Sequence, residues 1–313
     1  METSIEVKKL CKSYSGVKAV QEVTISISRG EVFGLLGANG AGKSTTLECI
    51  LGTKRPDSGT VSILGIDPQK GRKKLYERVG VQFQEANYQE KIRVAELCEV
   101  TAALYKKPMD YKRLLEQFGL SDKLKSQISE LSGGQKQRLF IVLALIPNPE
   151  VVFLDELTTG LDTRARREVW KNLTDLKQKG MTILLTSHFM DEVEVLCDKI
   201  MILKKGKTIF YGTVQEAVAA SPYQTFEDAY LWYTDEEGDA AEIGYAAENE
   251  DTDVKGYTTE NENTAEIGYA PENTKTVKIR YTAEMGKSID TEAKTAKGYA
   301  IEYSKEEKVY ESI

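Results

Sequence analysis

Through residues 1–233, short apolar runs alternate with segments whose apolar residues recur every three or four positions. The β-rich runs predict strands at Ser4–Leu10, Val23–Ile27, Glu31–Leu36, Thr60–Ile63, Val79–Phe83, Val151–Leu154, Thr182–Thr186, Lys199–Lys204 and Lys207–Tyr211. The helical spacing predicts helices at Ser44–Leu51, Ala95–Ala103, Tyr111–Phe118, Gly134–Leu145, Thr163–Lys179 and Met190–Leu196. Val151–Leu154 and Ile183–Leu185 are apolar at every position, as a strand covered on both faces requires. Strands alternating with helices predict an α/β fold with a parallel-sheet core and helices on both sides. The opening strands alternate more strictly and predict a separate antiparallel β layer. The stretch from about 88 to 147 is mostly helical and predicts an inserted lobe.

After Trp232 the pattern fades and the charge changes. Residues 1–233 hold 33 basic and 29 acidic residues, a net of +4, whereas residues 234–313 hold 9 and 20, a net of −11. A domain boundary near 233 follows from both observations. The C-terminal segment repeats itself: AEIGYAAEN at 241–249 returns as AEIGYAPEN at 265–273. Tyr233, Tyr245, Tyr257, Tyr269 and Tyr281 are spaced by 12 throughout. An even period keeps such residues on one face of an extended chain, which leaves a small β-structured or partner-induced module open as an alternative. Few aliphatic residues accompany the tyrosines, so the expectation is a disordered, low-complexity acidic tail.

Composition narrows the class. Of 313 residues, 41% are hydrophobic and 29% charged, which suits a globular protein with a core. The longest apolar run, Leu139–Pro147, is far short of the roughly 20 residues that cross a bilayer. No basic stretch followed by an apolar one opens the chain, so no secretory signal is expected. Cys11, Cys49, Cys98 and Cys197 lie far apart without a C-x-x-C pair, so reduced thiols are expected rather than disulfides or a zinc site.

The candidate chemistry begins at GANGAGKST, residues 37–45, directly after the apolar run Val32–Leu36. It satisfies G-x-x-x-x-G-K-[ST]. Glycines let successive backbone N–H groups of Gly37, Ala38, Asn39, Gly40, Ala41 and Gly42 curl around phosphates. Lys43 would reach the outer phosphates, Ser44 and Thr45 open a helix whose positive end faces the anion, and the Ser44 hydroxyl would bind Mg²⁺. The buried strand of VVFLDE, residues 151–156, ends in two acids. Asp155 would hold Mg²⁺ through water, and Glu156 would polarise a water attacking the γ-phosphate. His188, the only histidine, follows the strand MTILLTS at the carboxyl edge of the sheet, where ligand sites of open α/β sheets lie. A γ-phosphate contact is expected for it.

LSGGQKQR at 131–138 resembles the signature sequence of ATP-binding cassette (ABC) proteins. The whole order of motifs in residues 1–233 is similar to that family: Tyr14, the phosphate loop, Gln84, the signature, VVFLDE, the GLD loop at 160–162 and His188. The resemblance implies an ABC-type P-loop NTPase that binds ATP and Mg²⁺. It implies that Tyr14 stacks on adenine and that Gln84 reaches Mg²⁺ or the attacking water. Ser132, Gly133, Gly134 and Gln135 would contact the γ-phosphate of ATP held by an opposing cassette. One departure is Leu157, where the family commonly has Pro, which leaves the geometry of the following loop less constrained.

The resemblance further implies partners. Two cassettes must meet head to tail, expected here as a homodimer. GLLGANGAGKSTTLECILGTKRPDSGTVSILGIDP looks like the cassettes of drug, antibiotic and polysaccharide exporters, and TFEDAYLWYT at 225–234 looks like the last helix of that branch. An ATPase driving a multisubunit exporter through a separate transmembrane permease is therefore expected, held in the cytoplasm against the inner face of the membrane. The permease would dock beside Gln84. The competing class, a soluble ABC ATPase acting on ribosomes or DNA, usually carries two cassettes or a long insertion. The +4 cassette also lacks the basic runs that nucleic acid attracts, so no nucleic-acid partner is expected.

Overall fold

The solidly apolar runs become strands whose alternate side chains enter two different cores. The structure is a computed structural model; it describes residues 2–83 and 91–235 and, beyond these, four strands between 264 and 304. The elements run β1 (Thr3–Tyr14), β2 (Val17–Ser28), β3 (Val32–Gly37), α1 (Lys43–Ile50), β4 (Ser58–Ile63), α2 (Arg72–Tyr76), β5 (Val79–Gln82), α3 (Val94–Ala103), α4 (Tyr111–Gln117) and α5 (Gly133–Leu145). They continue with β6 (Val151–Asp155), α6 (Thr163–Gln178), β7 (Thr182–Thr186), α7 (Met190–Leu196), β8 (Lys199–Lys204), β9 (Lys207–Gly212), α8 (Val214–Ala219) and α9 (Phe226–Thr234).

The central sheet has six strands in the order β5-β6-β7-β3-β8-β9. All neighbours are parallel except β8 and β9, which form an antiparallel edge. On one face, Val32, Val152, Leu154, Ile183 and Leu185 pack with residues of α3, α4, α5 and α6. On the other, Phe33, Leu35, Val151, Phe153, Leu184, Met201 and Leu203 pack with Leu47 and Ile50 of α1 and with the second sheet. That sheet is antiparallel, β2-β1-β4, and contributes Ile5, Val7, Leu10, Val23, Ile25, Ile27 and Ile63. Val32 and Phe33, or Val151 and Val152, are thus adjacent in sequence and serve opposite layers. Each fully buried Leu, Ile or Phe contributes about 1.5–3 kcal/mol, whereas exposed ion pairs contribute about 0–1 kcal/mol each. The two cores therefore hold the fold.

The predicted parallel core, antiparallel layer and helical lobe are all observed, the lobe supplying α3, α4 and α5 between β5 and β6. Two differences are local. β1 and β2 are far longer than the alternation predicts. Lys9 and Glu22 have φ of 47° and 51°, and the β1–β2 register shifts between Val7 and Leu10. Such a bulge adds a residue and resets the alternation, so the strand continues where the pattern stops. Helices α2 and α8 were not expected; α2 is a five-residue helix, and α8 starts at Thr213 with a capping box to Glu216, which its T-V-Q-E sequence spells out.

The chain divides into two units after Glu236. In the second unit, β10 (Thr264–Tyr269), β11 (Val277–Thr282), β12 (Thr291–Ala296) and β13 (Tyr299–Ser304) form an antiparallel sheet in the order β11-β10-β13-β12. The second AEIGY copy of the repeat lies within β10, with Tyr269 opposite Val277 and Tyr299.

Candidate active site

The phosphate loop bridges β3 and α1 at the carboxyl edge of the central sheet. Its curl depends on glycine. Gly37 and Gly42 have φ of 145° and 105°, and a Cβ on either would lie 2.4 Å from a carbonyl oxygen, of Leu203 and Ala19 respectively. The loop is also tied from outside, since the Gly206 N–H donates to the Ala41 carbonyl at 2.9 Å. Lys43 lies buried within the curl, and its Nζ donates to the carbonyls of Gly37 and Ala38 at 2.7 and 3.2 Å. Burial pulls the Lys43 ammonium below the ordinary lysine range, while the carboxylates of Glu156 and Asp155 act in the opposite direction. Ala38, Asn39, Gly40 and Ser44 are exposed along the outer side, Thr45 is half-buried and Ala41 is buried.

Asp155 closes β6 and is buried; Glu156 follows with φ of 50°, outside the regions that side chains favour. Thr186, at the end of neighbouring β7, holds both. Its hydroxyl donates to Asp155 Oδ1 at 2.5 Å and accepts from the Glu156 N–H at 3.0 Å. His188 lies two residues further on, and its Nε2 is 3.0 Å from Glu156 Oε1. Pairing of β6 with β7, Asp155 opposite Thr186, therefore brings the three side chains to one sheet edge.

The signature segment enters α5. Ser132 is its N-cap: Ser132 Oγ accepts from the Gln135 N–H at 3.2 Å, and Gln135 Oε1 accepts from the Ser132 N–H at 3.0 Å. Ser132 and Gly133 are exposed there, so the helix start faces outwards. From the same helix Gln137 Nε2 donates to the carbonyls of Glu156 and Leu157 at 3.2 and 2.9 Å. Leu157 itself is fully buried in the helical-side core. Burial and the Gln137 bonds thus fix the loop that lacks the family's proline. Tyr14 ends β1, 40% exposed, with Lys12 and Lys54 nitrogens 5.5 and 5.3 Å from its ring centre. Gln84 lies outside the described residues.

Sequence reasoning assigned no role to Thr186, Gln137 or Gln82, whose Nε2 donates to the Asp155 carbonyl at 3.1 Å. Gln137 stands within the signature motif and Thr186 within MTILLTSH, so both were adjacent to residues that were singled out.

Residues 20–159 match the model of the ABC transporter family. The Nod factor export ATP-binding protein I of Paraburkholderia xenovorans (strain LB400) is 39% identical over 224 residues, covering 70% of this chain and 74% of that protein. The chain belongs to the ABC transporter family. A second relative, the probable multidrug ABC transporter ATP-binding protein YbhF of Escherichia coli (strain K12), is 36% identical over 240 residues. That match covers 74% of this chain but 41% of YbhF, so the chain spans less than half the length of that relative. Among solved structures, an ATP-binding subunit of an ABC transporter superposes with a TM-score of 0.68 at 30% identity, covering 73% of this chain and 98% of that one. A dimeric ATP-binding cassette in a post-hydrolysis state, bound to ADP and Pi, superposes with a TM-score of 0.62 at 25% identity, covering 67% and 98%.

The site of this ABC cassette fits Mg²⁺ in its donor chemistry. Ser44 and Asp155 offer oxygen, which a hard cation prefers. Among the described residues no group of three or more His, Cys, Asp or Glu could hold a metal by itself. Mg²⁺ characteristically takes one or two protein oxygens and completes its shell from phosphates and water.

Proposed function

We propose that the chain is the ATP-binding and ATP-hydrolysing subunit of a multisubunit membrane exporter, driven by ATP-dependent closure of two cassettes. The observation that carries this reading is the Glu156–His188 pair, 3.0 Å apart, at the same sheet edge as the Lys43 loop. Lys43 exchanges its backbone carbonyls for the phosphates of ATP, and the loop N–H groups bind the remaining oxygens. Tyr14 stacks on adenine. Ser44, and Asp155 through water, would hold Mg²⁺, with Gln84 as the expected further ligand; the ion would neutralise charge on the phosphates. Glu156 orients the attacking water and accepts its proton, while His188, beside the Glu156 carboxylate, turns its N–H towards the γ-phosphate. The Ser132 cap bond uses an oxygen lone pair, so its hydroxyl proton, with Gly133, Gly134 and Gln135 at the helix start, serves the nucleotide of a second copy.

The exporter reading rests on the relatives' names and on an apolar surface. Val100 of α3 and Leu104 at its C-cap are 58% and 75% exposed, and Phe83, just after β5, is 39% exposed. A protein partner would cover such side chains, and a separate permease is the partner proposed. No described helix is long and apolar enough to cross a membrane, so attachment to the inner face would run through that permease.

The test is Glu156→Gln, which keeps the shape and removes the base. Turnover should nearly stop while ATP binding persists, and a dimer should accumulate with ATP. Near-native phosphate release by this variant would refute the assignment.

A further inference from the structure

Beyond Glu156 and His188 the structure contains a second, fully buried carboxylate near the site. Glu192 lies in the first turn of α7 with no exposed surface. A buried carboxylate costs several kcal/mol unless its lone pairs are occupied. Here they are. Ser187 Oγ donates to Glu192 Oε2 at 2.5 Å, and Trp170 Nε1 donates to Oε1 at 2.9 Å. Burial still pushes the Glu192 carboxyl above the usual range, and the donors work against it.

The two donors come from different places. Ser187 immediately precedes His188, and its Oγ also accepts from the Phe189 N–H at 3.0 Å. Trp170 stands on α6, the helix capped by Asp162 of the GLD loop. A second tie repeats the link. The Arg166 guanidinium lies 4.6 Å from the Phe189 ring centre and 5.7 Å from that of Trp170, and it pairs with Asp191 at 3.4 Å. The residues on both sides of His188 are therefore held from α6.

We propose that Glu192, with Trp170 and Arg166, is a positioning clamp that sets His188 against Glu156 and makes that setting follow the GLD loop through α6. None of the three is a catalytic residue; they act through His188. The proposal rests on the assignment of His188 above. Breaking the clamp releases the 187–189 loop, so His188 leaves its place at Glu156 and turnover falls while the phosphate loop still binds ATP.

His188 is the sole histidine, so its ring resonances identify themselves in an NMR spectrum of the full chain carrying no affinity histidines. Trp170→Phe retains the ring and removes one donor; Glu192→Leu removes both acceptors. Both variants should shift or broaden the His188 ring signals and lower kcat by roughly tenfold, with KM for ATP within about twofold. Glu192→Gln should restore both readouts, since its carbonyl accepts from Trp170 and the Ser187 hydroxyl rotates to accept from its amide. If Glu192→Leu fails to fold, Trp170→Phe and Glu192→Gln still decide. Unmoved His188 signals in Trp170→Phe would overturn the clamp, as would a Glu192→Gln variant no better than Trp170→Phe. Signals that move while kcat stays native would support the clamp and overturn instead the catalytic role given to His188.

Discussion

Thr186 offers a quantitative check, because one buried hydroxyl serves two adjacent acidic residues at once. Thr186→Val is nearly isosteric but neither donates nor accepts. It deprives the Asp155 carboxylate of a hydrogen bond at 2.5 Å and the Glu156 N–H of its acceptor at 3.0 Å. A hydrogen bond to a charged group contributes about 1.5–3 kcal/mol, and an orphaned polar group costs about 1–3 kcal/mol. The two share one oxygen and do not add fully, so a loss of about 2–4 kcal/mol is expected. Thr186→Ser keeps the hydroxyl and loses one buried methyl, for about 1 kcal/mol. Urea unfolding of the nucleotide-free chain measures both, with the slope unchanged if only stability moves. Glu156 stands at φ 50° and depends on the Thr186 bond, so turnover should fall with Val and recover with Ser. A Val variant within about 0.5 kcal/mol of the native protein, or a Ser variant less stable than Val, refutes the reasoning.

Lys43→Ala should weaken ATP binding to the monomer, whereas Ser132→Ala should leave monomer binding nearly intact and impair ATP-dependent dimerisation; equal weakening of monomer binding by both contradicts a nucleotide shared between two copies. Burial pushes the Cys98 thiol up to about 12, and Cys49 and Cys197 are also raised by burial. An alkylating reagent at pH 8 should therefore label native protein at Cys11 alone, and mass spectrometry of the digested product checks this. Truncation after Glu236 retains every site residue and all of α9, so nucleotide binding and basal hydrolysis should persist; their loss would show that the C-terminal unit belongs to the catalytic fold.

Much of this was legible because the chemistry is contiguous. A glycine-rich loop between an apolar strand and a helix announces itself, and so does an acid pair ending VVFLD. The central strands were legible for the same reason, since burial on both faces leaves no polar interruption. What the sequence concealed was contact at a distance. Thr186 reads as an ordinary strand threonine until β6 and β7 are paired, and only then does it meet Asp155. Glu192 reads as one acid among several in MDEVEV until α6 brings Trp170 against it. β1 and β2 were underestimated because bulges at Lys9 and Glu22 break the alternation that defines a strand.

The order of the central sheet also bears on how the protein is made. β3, which leads into the phosphate loop, pairs with β7 and β8: Val32 lies opposite Ile183, and Phe33 opposite both Leu184 and Lys199. No strand nearer in the chain flanks it. During synthesis the phosphate loop proposed to hold ATP thus emerges early and waits, its strand unpaired, until β7 and β8 have left the ribosome. An exposed apolar strand in that interval is an invitation to aggregation, and such long-range pairing slows folding. Nucleotide can therefore stabilise the nascent chain only once β7 and β8 have emerged to flank β3, so ATP would act on an assembled central sheet rather than on a growing one.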